Sequence, residues 1–112
     1  MFYLFTNLDV PVVNVLWSIY RANFGSDITL DCEVTSNPFH TSVYWQSIIN
    51  DHMIQITTKS AKYGGSTVNN PSLTIHNFTV NDIGSYRCLA VNSISTGESQ
   101  LTVLEVIGCK FA

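Results

Sequence analysis

Charge is what this chain has least of. Charged residues make up 12% of its 112 residues, and the five Lys and Arg side chains form no run. Arg21, Lys59, Lys62, Arg87 and Lys110 are scattered under a net charge of −3, which argues against nucleic acid, since phosphate binding needs a basic stripe. Long apolar runs are missing too. No stretch reaches the 18 or so residues a membrane-spanning helix needs, so no direct membrane insertion is expected. The opening MFYLFTNLDVPVV is apolar but lacks a basic start and is broken by Asn7, Asp9 and Pro11, so it is not read as a signal peptide. Secretion would then need a leader upstream, with this chain one unit of a longer protein.

Catalytic signatures are equally scarce. The three histidines, His40, His52 and His76, share no metal-ligand spacing, and no nucleophile elbow or histidine-anchored set of Ser and Asp appears. The glycines of YGGS join strands and open no helix, so they do not form a phosphate cradle. No enzyme activity, cofactor, metal or small-molecule substrate is expected. Helical periodicity, internal repeats and low-complexity tracts are likewise missing between residues 10 and 107.

What is present is period-two alternation, the mark of half-buried strands. In DITLDCEV one face carries Ile28, Leu30, Cys32 and Val34, and the other Asp27, Thr29, Asp31 and Glu33. Val43 and Trp45, then Leu73 and Ile75, point inward, with Phe78 following after the strand turns. Tyr86, Cys88 and Ala90 form another inward row, and Leu101 with Val103 is expected inward on the last strand. Turn-forming clusters separate the runs: SNP, IIND, GGS, NNP, NDIG and STG. Seven or more short strands at this rhythm give an all-β antiparallel sandwich or barrel. Apolar residues suffice for one core, and a chain this long buries about two-thirds of its unfolded surface.

Cys32 and Cys88 both fall inward in mid-strand, with Trp45 between them on the next strand. This constellation, with D-x-G-x-Y-x-C at residues 82–88, resembles the immunoglobulin superfamily. The resemblance implies a Greek-key β-sandwich of two antiparallel sheets, with a Cys32–Cys88 bridge packed against Trp45. Two buried free thiols are the alternative. It places Tyr86 at the tyrosine corner, its hydroxyl bonded to upstream backbone, with Gly84 supplying a permissive turn. KYGGS, SLTIHNF and DIGSYRC look like the D, E and F strands of variable-type and I-set domains. In those families a basic residue opening strand D pairs with the motif aspartate. Carried over, Lys62 pairs with Asp82, a lysine where arginine is commoner, which rules out a bidentate bridge.

The resemblance spans residues 10–107, nearest to an I-set-like repeat of large invertebrate adhesion or matrix proteins of the hemicentin kind. Residues 1–9 are read as an N-terminal flank, with disorder expected there, and 108–112 as a C-terminal tail whose Cys109 is either a reactive or interchain thiol or a junction feature. LWSIYRA departs from the pattern, with Trp17 and Tyr20 at the A–A′ kink leaving that strand's register open.

The implied function is an extracellular protein-binding or cell-adhesion module. The alternative is a structural spacer without its own ligand, and an intracellular muscle-type domain is a third reading. A binding face is expected on the C, F and G strands, where Tyr44, Gln46 and Ile48 lie beside Arg87, Leu89 and Val91, with Leu104 at the margin. Tyrosine, arginine and outward aliphatics are what protein interfaces collect, so the expected partner is a protein or a second copy of the domain. Asn77 begins N-F-T, the one acceptor sequence with an allowed middle residue, because Pro71 spoils the site at Asn70.

Overall fold

The computed structural model describes residues 8–108. The tail readings for residues 1–7 and 109–112, Cys109 included, lie outside the described residues. Among the described residues eleven strand segments run in chain order: β1 Val12–Val15, β2 Ile19–Ala22, β3 Ile28–Leu30, β4 Cys32–Thr35, β5 Ser42–Ile49, β6 His52–Gln55, β7 Tyr63–Gly65, β8 Leu73–Ile75, β9 Gly84–Val91, β10 Thr96–Glu98 and β11 Thr102–Val106. A 3-10 turn, Val80–Asp82, precedes β9.

The strands form two layers. One holds β3–β8–β7 together with the β1–β4 pair, and the other runs β2–β11–β9–β5–β6 with β10 also on β9. Every pairing is antiparallel except β2 with β11, which is parallel, so the sandwich is not wholly antiparallel as expected. The exception comes from the kink at Leu16–Ser18. There the first strand leaves β4, where Val15 faces Cys32, and crosses to the other layer, where Ile19 faces Val103. Both Leu16 and Trp17 are exposed at the crossing, and Tyr20 just beyond it is buried.

Inward residues of both layers make the core: Leu30, Trp45, Leu73, Ile75, Phe78, Tyr86, Cys88 and Leu104 are all nearly inaccessible. The last strand departs from its expected register. Thr102 and Leu104 are buried, whereas Leu101 is exposed and Val103 half-buried. Pairing explains the slip. Glu98 faces Leu89 but Thr102 faces Tyr86, so the β10–β11 side has one residue more than β9 between those pairs. A bulged residue reverses the side on which every later side chain falls. Upstream of it Gly97 and Ser99 face in; beyond it Thr102 does, with its hydroxyl donating to the Trp17 carbonyl at 2.8 Å.

Candidate functional site

The corner below β9 is built around Asp82. Its Oδ2 accepts from Lys62 Nζ at 2.8 Å and from the Thr79 N–H at 2.8 Å, while the Thr79 hydroxyl receives the Asn81 N–H at 3.3 Å. This is a capping box on one 3-10 turn, satisfying backbone donors that the turn leaves open. Lys62 also donates to the Asn77 carbonyl at 2.9 Å, so one ammonium ties strand β7's approach to both sides of the corner. With Asp82 buried and Lys62 only partly exposed, the pair is more sheltered than an ordinary surface bridge.

Tyr86 completes the corner, its hydroxyl donating to the Asp82 carbonyl at 2.6 Å. Burial, reinforced by the Asp82 and Tyr63 charges, raises the Tyr86 pKa well above the usual tyrosine range. Because the folded pKa exceeds the unfolded one, this contribution is complete below about pH 10 and is lost as pH rises past the unfolded value. Tyr20 and Tyr63 are raised as well, chiefly by burial, and act in the same direction. Tyr86→Phe should therefore cost about 1 kcal/mol at neutral pH and soften the alkaline unfolding transition, as denaturant melts between pH 7 and 11 would show.

Gly84 has a different reason from the expected one. It begins strand β9 rather than sitting at a positive-φ turn, and a Cβ there would approach Ile49 Cγ1 to 2.6 Å and the Ile48 carbonyl to 3.0 Å. Close approach of β5 excludes a side chain.

Between the layers the Cys32–Cys88 disulfide closes, with Trp45 directly opposite Cys88 on β5. The indole Nε1 donates to the Pro71 carbonyl at 2.8 Å, a partner that no local pattern indicates. Asn92 was also missed. Buried after β9, it donates through Nδ2 to the Asp9 and Pro38 carbonyls and the Ser36 hydroxyl at 2.8–3.1 Å. Its Oδ1 accepts from the N–H groups of Ile94 and Ser95, so one side chain joins three chain segments at the end opposite the Asp82 corner. An asparagine just before SISTG is the only sequence signal for it, an Asx-turn residue.

The six-stranded sheet turns outward the residues proposed for binding. Tyr44 pairs with Leu89, Gln46 with Arg87 and Ser42 with Val91. Arg87 stretches across this face, its Nε donating to Gln46 Oε1 at 2.8 Å, and its other nitrogens lying 3.4 Å from Glu98 Oε2 and 3.5 Å from Met53 Sδ. Two expected members change place. Leu89, flanked by Tyr44 and Glu98 on the adjoining strands, is only 4% exposed and offers no free apolar surface. Leu104 lies on the core side for the bulge reason given above. Accessible apolar surface on this face is found instead on β6 at Met53, paired with Ile48 and 56% exposed, whereas Ile54 pairs with Ser47 and lies on the other side of that edge strand. That strand pairs with β5 through a hairpin whose Asn50 and Asp51 both have positive φ, as a two-residue type I′ turn requires.

The histidines stand apart. His40 is buried with Nε2 3.0 Å from the Val68 carbonyl, His52 opens β6, and His76 Nδ1 lies 2.9 Å from Asp27 Oδ2. Among the described residues, no three His, Cys, Asp or Glu side chains are grouped to hold a metal, and no helix is long and apolar enough to cross a membrane.

A family model described as Immunoglobulin domain matches residues 11–92, most of the chain and the whole bridge, tryptophan and corner apparatus. The chain belongs to the immunoglobulin domain family. Among solved structures it is similar to one titled "Tandem Ig repeats of Dlar", with a TM-score of 0.70 and 23% identity. The alignment covers 88% of this chain and 50% of that one, so this immunoglobulin domain spans half the length of that tandem structure. At that identity the likeness concerns the fold.

Proposed function

We propose that this immunoglobulin domain is an extracellular protein-recognition module of the adhesion type, engaging a protein partner or a second copy of itself through the outward face of the six-stranded sheet. The observation that carries the reading is Arg87, held at mid-face by Gln46 and Glu98 beside exposed Met53 on β6. A guanidinium fixed before binding loses little freedom when a partner arrives, and arginine, methionine and tyrosine are enriched at interfaces. β6 pairs only with β5 among the described residues, leaving edge backbone groups to which a further strand could add. The disulfide supports the extracellular placement, since such bonds persist in oxidising compartments. The I-set-like, hemicentin-type subtype rests on the KYGGS, SLTIHNF and DIGSYRC runs alone.

Replacing Met53 by Asp tests the reading. Sedimentation of the purified chain and aggregation of beads displaying it should report loss of self-association, with stability changed by no more than about 1 kcal/mol because that side chain is already wet. If the parent associates and the Met53 variant associates equally well, the face is not the site and the spacer role stands.

A further inference from the structure

The corner opposite the Asn92 cluster ends in a shallow hollow of about 470 Å³ lined by Phe24, Gly25, Asn77, Phe78, Thr79 and Val80. Its floor is apolar. Phe78 is buried, Phe24 stacks on it with ring centroids 5.4 Å apart, and Phe24 remains 52% exposed, so one face of its ring is open. Gly25 beside it has open space where a side chain would stand, and Val80 is exposed at the opposite rim. Two backbone bonds hold the hollow in shape: Gly25 N–H to the Phe78 carbonyl and Phe78 N–H to the Ser26 carbonyl, both 2.8 Å.

Asn77, the first residue of N-F-T, stands on this rim. Its backbone is clamped, with its N–H donating to Asp27 Oδ1 at 3.0 Å, its carbonyl accepting from Lys62 at 2.9 Å, and a φ of +54°. The residue itself is exposed. An amide on a fixed stem beside a half-covered aromatic ring is a site for a group that is polar at one face and apolar at the other. A pyranose is such a group: one face is a row of C–H bonds, which an aromatic ring's negative face attracts, and its hydroxyls and acetamide stay in water.

We propose that Asn77 carries an N-linked oligosaccharide whose first N-acetylglucosamine lies in this hollow against Phe24, covering the apolar end of the domain. The proposal presupposes passage through a secretory pathway, as the extracellular reading does. In the attachment step Asn77 Nδ2 bonds to the anomeric carbon of an oligosaccharide carried on a lipid diphosphate. The glycosyl–phosphate bond breaks, and the lipid diphosphate leaves with the electron pair and takes up the proton the amide gives up.

The test is secretion of the chain from a eukaryotic host. Mass spectrometry should find a glycan at Asn77, removed by peptide N-glycosidase and missing in Asn77→Gly, which keeps the left-handed backbone accessible. Proton NMR should show upfield-shifted N-acetylglucosamine signals with contacts to the Phe24 ring, both lost in Phe24→Ser while the mass shows the glycan retained. A second readout needs no variant. Trimming the glycan to one sugar should leave binding of an environment-sensitive hydrophobic dye low, and removing that sugar should raise it. An unmodified Asn77 in a product whose Cys32–Cys88 bond is oxidised overturns the proposal and leaves the extracellular reading intact. Ordinary sugar shifts in a glycosylated product, or dye binding that rises on trimming alone, overturn the docking. A second copy of the chain seated on the hollow of the glycosylated form, seen as association that Val80→Ser abolishes, also overturns it.

Discussion

Trp45→Ala is expected to lower stability by about 3–5 kcal/mol, the range for emptying a large aromatic site in a core. The indole is fully inaccessible, faces Cys88 across β5 and β9, and its Nε1 proton is the one given to the Pro71 carbonyl. Truncation therefore does two things at once: it opens a cavity between the sheets beside the disulfide, and it leaves a carbonyl without its donor. The second effect depends on whether water can reach Pro71, which is half-buried. Trp17 provides an internal control. It is the other tryptophan of the chain and is mostly exposed at the A–A′ crossing, where its backbone carbonyl, not its ring, accepts the Thr102 hydroxyl. Trp17→Ala should then cost no more than about 0.5 kcal/mol, as surface changes do. Denaturant melts followed by circular dichroism would separate the two. Equal losses in both variants would mean that the indole of Trp45 does not anchor the core.

Local alternation made most of the core legible, because a side chain's face is decided by the parity of its position as long as the strand is continuous. Leu30, Trp45, Leu73, Ile75, Tyr86 and Cys88 sit in uninterrupted strands, and their inward placement is the one expected. Leu101 and Val103 were placed by the same parity, which the bulge between β10 and β11 had reversed; nothing in SQLTVLEV marks which residue is the extra one. Leu89 went astray for another reason. Its outward direction is right, but exposure is set by neighbouring strands, and a central strand between Tyr44 and Glu98 leaves little room for water. The corner was readable because Asp82, Gly84 and Tyr86 lie close together in the chain, where the 3-10 turn runs into β9, with only Lys62 coming from a distance. The acceptor for Trp45, and two of the three acceptors for Asn92, are backbone carbonyls, and every residue has one. A donor can be recognised in a sequence, but an acceptor of that kind cannot.

The disulfide carries the second large effect. Replacing both Cys32 and Cys88 by Ala should cost about 2–5 kcal/mol, with about 4 kcal/mol expected from loop closure alone for two cysteines 56 positions apart. Domains of this size are stable by only about 5–15 kcal/mol, so the double variant would be marginal at physiological temperature. The double replacement is preferable to either single one. With Cys109 also in the chain, a single replacement leaves two thiols that can pair with each other, and the measured loss would mix bridge removal with a new crosslink. Burial adds a kinetic expectation. Thiol–disulfide exchange needs an attacking thiolate to reach a sulfur, and both cysteines are nearly inaccessible between the layers. A thiol reductant in native buffer should therefore leave the bridge intact, and reduction should proceed only when denaturant opens the sandwich. Alkylation of released thiols, followed by mass, measures this directly. Rapid reduction without denaturant would show that the sheets part locally around Cys32, at the strand edge next to β1, with the rest of the sandwich still closed.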